Sequence, residues 1–344
     1  MKDVSFAVIG SGFMGGLLAR AASELPYSSC VGAADLDVVR AQSLTARYGG
    51  KAYEDFEEML DTEHPEMVFI ATPEPEHVAP VRAAAERGVQ IFLEKPIATT
   101  LEDADTICQV CGNARVKLMV GHVLRFEVSY AMIRSAIAEG SIGRFLSAYA
   151  RRMCSISEAR RLHGRVSPLA YIGVHDIDQM LWYHPVPVKS VYAKAVKGRV
   201  WDELGAFDSV WLMMEFDDGA LGTHEVGWCL PETWSQWQIP ASWGGFADVR
   251  MNVTGTEGNL LIDFTPMDLY GVDRDGWKLP DTRHWPVLHD KLVGAVKLEV
   301  EHFFACVRED RAPLITGEDA RRALEVVVAA EKSVVEGDKI DLPL

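Results

Sequence analysis

Three glycines at the spacing Gly10-Ser11-Gly12-Phe13-Met14-Gly15 follow the apolar run Phe6-Ala7-Val8-Ile9 and precede a helix-like stretch from Leu17. Strand, glycine turn and helix in that order make a cradle for a pyrophosphate. Gly10 permits a tight turn, Gly12 lets the backbone approach the ligand, and Gly15 lets the helix pack on the strand, while the helix N-terminus offers N–H groups and the positive end of its dipole. Phe13 and Met14 lie inside the turn and belong to the same candidate cofactor site. A second apolar run, Cys30 to Ala34, ends at Asp35, twenty residues after Gly15, where a dinucleotide-binding unit keeps the carboxylate that accepts from ribose hydroxyls. Asp35 would repel the 2′-phosphate of NADP, and neither Leu36 nor Asp37 brings a compensating cation, so NAD is expected over NADP. Arg40, one helical turn on, is the cation able to swing back.

Two further motifs fall at the same edge. Ala71-Thr72-Pro73 closes the third expected strand and Glu94-Lys95-Pro96 the fourth, and parallel sheets bind ligands at the carboxyl ends of their strands. Lys95 is thereby set toward the nicotinamide end of a dinucleotide, although a lysine at a strand end is by position alone as readily a solvated one.

Together, Gly10-x-Gly12-x-x-Gly15, Ala71-Thr72-Pro73 with His77 following, Glu94-Lys95-Pro96 and Gly173-Val174-His175-Asp176-Ile177-Asp178 resemble the glucose-fructose oxidoreductase, inositol dehydrogenase and rhizopine-catabolism (Gfo/Idh/MocA) family over nearly the whole chain. The resemblance implies a Rossmann domain followed by an open-sheet substrate domain, with Thr72, Pro73, His77, Glu94 and Lys95 at the cofactor. It implies that Lys95 contacts the reacting hydroxyl and that His175 matches the catalytic histidine. Elementary chemistry agrees: a carbinol carbon gives up hydride readily only once its hydroxyl proton is removed, imidazole accepts a proton near neutral pH, and an ammonium stabilises the alkoxide.

One position departs from that pattern. Four residues before the histidine, where polyol dehydrogenases of the family usually carry aspartate, this chain has Tyr171. On a helix, Tyr171 and His175 share a face. Either the phenol replaces the carboxylate, as a hydrogen-bonding group or as the acid-base with Lys95 lowering its pKa, or it merely shapes the pocket. Asp178, three residues past His175, is the expected substitute to orient the imidazole, while Asp176 should point elsewhere.

Other side chains are candidates to read the substrate. His122 and Arg125 lie at the expected domain junction, and Arg151, Arg152, Arg161 and His163 cluster ahead of the His175 helix. Such a basic pocket would accept a phosphate or carboxylate, unless its arginines are structural. Trp228, Trp234, Trp237 and Trp243 crowd a segment broken by Pro231, Pro240 and Gly244-Gly245. It reads as a loop whose indoles, Trp234 among them, stack on a sugar ring or pack against another subunit.

These residues need two kinds of scaffold. Over residues 1–122, apolar runs (Phe6 to Ile9, Cys30 to Ala34, Met67 to Ala71, Ile91 to Leu93, Lys117 to Val120) alternate with helix-spaced segments, which predicts an α/β Rossmann domain with a doubly wound parallel sheet. Over residues 123–344 strand follows strand, with turn signals at Asp217-Asp218-Gly219 and Gly255-Thr256-Glu257-Gly258. That predicts an α+β domain for substrate binding and oligomerisation, built on an open, largely antiparallel sheet. Its last helical pattern, about 317–335, can dock back on the first domain.

A chain of 344 residues, 48% hydrophobic and 24% charged, can bury two cores. Its formal charge of −16 disfavours nucleic acid and acidic membrane as partners. No apolar run is long enough to span a bilayer, the first strand begins without a signal-like block, and six scattered cysteines read as reduced thiols, so a cytoplasmic location is expected. Cys108-Gln-Val-Cys111 lacks a second pair, and no metal is expected. The expected function is an NAD-dependent oxidoreductase moving hydride between the nicotinamide and a secondary hydroxyl or ketone of a sugar, cyclitol or sugar derivative, as a homodimer or homotetramer. Two alternatives share the fold: a redox-cycling glycosidase that oxidises, eliminates and reduces with no net NADH, and an NAD- and sugar-binding sensor without turnover.

Overall fold

Strands that are apolar on both faces belong between two layers of helices, as β1 (Val4–Ile9), β4 (Met67–Ile70), β5 (Gln90–Leu93) and β6 (Leu118–Val120) are, flanked by the less buried β2 (Ser28–Ala34) and β3 (Lys51–Tyr53). In the computed structural model, which describes residues 3–232, 246–264, 271–273, 276–278 and 281–344, they form one parallel sheet in the order β3-β2-β1-β4-β5-β6. Between them run α1 (Phe13–Ser23), α2 (Val38–Tyr48), α3 (Phe56–Glu63), α4 (Val78–Glu86) and α5 (Leu101–Ala114). Asp37, Asp55 and Thr100 cap α2, α3 and α5 by accepting from free first-turn N–H groups. The winding direction reverses between β1 and β4, the switch point at which such sheets open a ligand crevice.

The second sheet follows a different logic. After α6 (Val128–Ala138) come β7 (Phe145–Ser155), α7 (Ile156–Arg161), α8 (Val174–Tyr183), β8 (Val188–Val196), α9 (Arg199–Leu204), β9 (Ser209–Phe216), β10 (Leu221–Leu230), β11 (Phe246–Gly255) and β12 (Asn259–Asp263). Two hairpins follow, β13 (Gly271–Asp273) with β14 (Gly276–Lys278) and β15 (Val287–Leu288) with β16 (Lys291–Leu292), then α10 (Ala295–Arg308), α11 (Gly317–Glu336) and β17 (Ile340–Asp341). The sheet order is β12-β11-β7-β10-β9-β8-β17, antiparallel throughout except for the parallel pair β7 and β10. Side chains alternate as a half-buried sheet requires. On β9, Val210, Leu212, Met214 and Phe216 are buried, whereas Trp211 and Met213 are exposed and are joined on the outer face by Tyr192, Leu221 and Leu261.

Trp228 departs from the expected loop: β10 continues through it to Leu230, and its indole is buried. Trp234, Trp237 and Trp243 lie outside the described residues. The chain divides into two units, Met1–Phe126 with Arg283–Leu324 and Glu127–Thr282 with Glu325–Leu344, so the hairpin β15–β16 and α10 belong with the parallel sheet. Among the described residues no helix is long and apolar enough to cross a membrane.

Candidate active site

The glycine turn after β1 is sterically determined. Gly10 has φ +91°, and a Cβ there would lie 2.6 Å from the Ala71 carbonyl. A Cβ on Gly15 would lie 1.9 Å from the Gly10 oxygen, so neither position admits a side chain. Gly12 differs, because a Cβ there meets nothing within 4 Å. It is the N-cap of α1, whose first turn has no side-chain cap and no acidic residue. Uncapped N–H groups facing open space suit an anionic pyrophosphate.

Asp35, just past β2, stands beside this turn: its carboxylate accepts from the Ser11 N–H at 2.7 Å and the Asp37 N–H at 2.9 Å. That places a carboxylate where a ribose diol fits and a 2′-phosphate does not. Arg40, the cation able to relieve the repulsion, is paired with Asp37 at 3.3 Å.

Thr72 and Pro73 leave β4, and Glu94 and Lys95 leave β5, at the same sheet edge. His77, expected at the cofactor, is instead buried below the surface of these loops, with its ring nitrogens 3.2 Å from the carbonyls of Thr72 and Ile97. It ties the two loops together, and burial holds its pKa below the usual imidazole value. Glu94 also lies inward. Its carboxylate accepts from the Lys95 N–H at 3.3 Å, and burial pushes its pKa up to about 7 against the pull of the Lys95 charge. Glu299 on α10, wholly buried with one oxygen unpartnered among the described residues, is pushed well above the carboxylate range by burial and by Glu94. Lys95 itself remains partly exposed.

His122 is buried just past β6, and Arg125 donates to the Leu314 carbonyl at 3.3 Å and lies 3.6 Å from Asp319 at the start of α11. The guanidinium of Arg125 thus serves a structural anchor, contrary to the expectation that it reads substrate. Burial pushes the Cys108 thiol up to about 11 and the Cys111 thiol to about 12, the inert rather than the reactive direction.

In the second unit, a π-helical turn, Leu169–Gly173, leads directly into α8 and carries Tyr171 one turn before His175. π turns are rare and recur at functional sites. His175 and Asp178 are buried, and the Asp178 carboxylate accepts from the Gln179 amide at 3.3 Å. Asp176 points into the core, as expected, where Arg152 grips it in bidentate fashion at 2.7 and 2.9 Å. His224 on β10 lies 3.2 Å from the same carboxylate, and the Tyr130 hydroxyl accepts from Arg152 at 3.1 Å. Arg152 is therefore not part of a substrate pocket: it is almost wholly buried and locks α8 to β7.

The expected basic cluster is dispersed by the strand alternation. Arg151 and Arg152 face opposite sides of the sheet, and Arg151 pairs with Glu225 and Asp248 on the outer side. Arg161 donates to Glu158 at 2.7 Å and to the Tyr171 hydroxyl at 2.5 Å, while His163 sits exposed in a left-handed turn at φ +51°. Arg161 is thus the arginine of the set placed beside Tyr171. Burial drives the Tyr171 phenol far above its ordinary pKa although Arg161 opposes the shift. A phenol that accepts from Arg161 keeps its own proton to donate. The indole of Trp228 lies 6.0 Å from the Tyr171 ring.

His224, Glu158, Tyr130 and Glu299 carry no motif spacing, and each takes its place through partners distant in sequence. The one signal available was a histidine inside the otherwise ordinary strand pattern of residues 221–226.

Comparison with known proteins bears out the family resemblance. Residues 4–122 match the model described as an oxidoreductase family with an NAD-binding Rossmann fold, and residues 130–261 match the Gfo/Idh/MocA C-terminal domain. The chain is 28% identical over 351 residues to the scyllo-inositol 2-dehydrogenase (NAD(+)) of Bacillus subtilis, covering 99% of this chain and 96% of that protein. It is 31% identical over 260 residues to the rhizopine catabolism protein MocA of Rhizobium meliloti, covering 73% and 79%. In fold it resembles the scyllo-inositol dehydrogenase of Lactobacillus casei solved with NAD(H) and scyllo-inositol, with a TM-score of 0.83 over 99% of each chain at 18% identity.

Proposed function

The chain belongs to the Gfo/Idh/MocA oxidoreductase family, and from that premise we propose that it exchanges hydride between NAD and a secondary hydroxyl or ketone of a cyclitol or sugar. The observation that carries this reading is the position of Lys95, immediately past β5 at the sheet edge that also holds the glycine turn and Asp35. NAD, when bound, supplies the hydride acceptor. The first turn of α1, with Gly10, Gly12, Phe13, Met14 and Gly15, holds its pyrophosphate, Asp35 its ribose, and Thr72 and Pro73 flank the nicotinamide half.

The Lys95 ammonium polarises the substrate oxygen and stabilises the alkoxide, and His175 takes the hydroxyl proton. Asp178 keeps the imidazole in register. Tyr171, protonated and oriented by Arg161, donates a hydrogen bond to a substrate oxygen at the position where the family pattern implies aspartate. His122, His163 and Trp234 are the remaining substrate contacts in this reading. The exposed apolar row Tyr192, Trp211, Met213, Leu221 and Leu261 fits a homo-oligomer paired through this sheet face. Six thiols without disulfides suit the cytoplasm.

The test is spectrophotometric: purified protein with NAD and a panel of inositols and free sugars should form NADH with one class, and NAD should outperform NADP. No NADH with any member would remove the reading.

A further inference from the structure

The π turn that carries Tyr171 is held at both ends by side chains with no part in the proposed reaction. A π turn bonds residue i to i+5 where an α-helix bonds i to i+4, so it rotates the side chains within and ahead of it relative to those of the helix that follows. Tyr171 therefore does not take the direction that four-residue spacing from His175 gives on a regular helix. Its hydroxyl accepts from Arg161 and its ring lies beside Trp228.

Ser167 fixes the start of the turn twice over. Its hydroxyl oxygen accepts from the Ala170 N–H at 3.1 Å, and its carbonyl accepts from the Tyr171 N–H at 3.1 Å. The same hydroxyl donates to Glu331 at 2.5 Å, which settles the rotamer that points its lone pair at the turn. Glu331 lies on the C-terminal half of α11, in the same unit as the turn. That half is itself tied to the sheet: Ser333, wholly buried, accepts from the Ala193 N–H on β8 at 2.9 Å and donates to the Asp338 carbonyl at 2.6 Å. Burial raises the Glu331 carboxyl above its ordinary range while the Ser167 hydrogen bond opposes the shift, so a carboxylate is drawn from water to hold one hydroxyl. At the far end a Cβ on Gly173 would lie 3.2 Å from the His224 ring, which closes that side of the turn. Beyond it, Arg152 and Asp176 fasten α8 separately, so the bond from Ser167 to Glu331 bears on the turn and on Tyr171 more than on His175.

We propose that Glu331 is a positioning residue: through Ser167 it fixes the π turn, and with it the direction in which the Tyr171 hydroxyl meets a substrate oxygen. The sheet holds α11, α11 holds Ser167, and Ser167 holds the turn. The proposal rests on the assignment of Tyr171 to the substrate, and the experiment separates the two.

With NAD and the inositol or free sugar that yields most NADH, Glu331→Ala is expected to lower kcat/KM about tenfold, and Glu331→Gln, which keeps the acceptor oxygen, to recover most of that loss. In a Tyr171→Phe background Glu331→Ala is expected to cost less than about twofold more, because the positioned group is already gone. A further loss of about tenfold there would make Glu331 a general structural residue and overturn the proposal. Hydrogen exchange read by mass spectrometry over residues 167–175 needs no substrate: Glu331→Ala should speed it about tenfold, with β9 and β10 unchanged as the sign of a folded sheet. Unchanged exchange over 167–175 would overturn the proposal whether or not the protein turns over. Faster exchange in a protein that oxidises no inositol or sugar would uphold the hold of Glu331 on the turn and remove the dehydrogenase reading instead.

Discussion

The proposed function gives Lys95 and His175 separable tasks, one electrostatic and one protolytic, and their variants should show it. Lys95→Ala and His175→Ala are each expected to lower kcat by about 10²–10⁴-fold while NAD affinity by calorimetry stays within a few fold; a parallel loss of NAD affinity would mean that these residues hold the cofactor instead. Tyr171→Phe removes the proposed donor but not a titrating base, so kcat/KM should fall about tenfold with its pH profile unchanged. Loss of the alkaline or acidic limb would restore the ionising role. The buried carboxyls make a second pH prediction. Glu94, raised from 4.5 to about 7, and Glu299, raised well above the carboxylate range, bind protons in the folded chain that the unfolded chain has already released. Their contribution to stability is full below the ordinary carboxylate range and is lost as pH rises through each group's raised value, about 7 for Glu94, where it is on the order of 3 kcal/mol. Glu299→Gln should therefore match wild type in thermal midpoint at about pH 5 and exceed it at about pH 8; equal midpoints at both would contradict the assignment. At this scale legibility follows steric necessity. Gly10 and Gly15 are readable because nothing else fits, whereas Glu299 and His224 acquire meaning only from neighbours far along the chain.

The helix that presents His175 is fastened by a buried polar network rather than by apolar packing alone. Asp176→Asn would leave the Arg152 charge buried without its counter-ion, and the expected cost is about 3–5 kcal/mol in urea unfolding. Arg152→Met combined with Asp176→Leu removes both charges and should recover most of that loss; a single variant within about 1 kcal/mol of wild type would show that the pair does not fasten the helix. The elements of the parallel sheet were legible because apolar runs and helix periods alternate cleanly. β3, three residues long, gives no period to read. β10 runs on through Trp228 although Pro231 and the following tryptophans suggest a loop, because tertiary pairing with β7 and β9 carries the strand. The π turn escaped for a similar reason, since its shape is set by contacts and not by local propensity. The expected basic pocket failed on alternation alone: Arg151 and Arg152 are neighbours in sequence and opposites across the sheet.

On the scale of the whole molecule, an acidic chain carries two sheets, one in an NAD-binding Rossmann unit and one in the unit that holds the π turn and α8. The outer face of the second sheet exposes Trp211 at 50% and Leu261 at 69%, a row too apolar for a surface meant only for water. Light scattering is expected to give a dimer or tetramer, and Trp211→Glu with Met213→Glu should shift it toward monomer; a monomeric wild type would contradict the pairing. In the proposed reaction hydride passes from a carbinol carbon to NAD and stays there. Mass spectrometry of the cofactor after reaction with an inositol or sugar deuterated at carbon tests this. NADH carrying one deuterium in step with substrate oxidised is expected, and none in His175→Ala. Unlabelled cofactor, with the deuterium retained or returned in the released product, would contradict it.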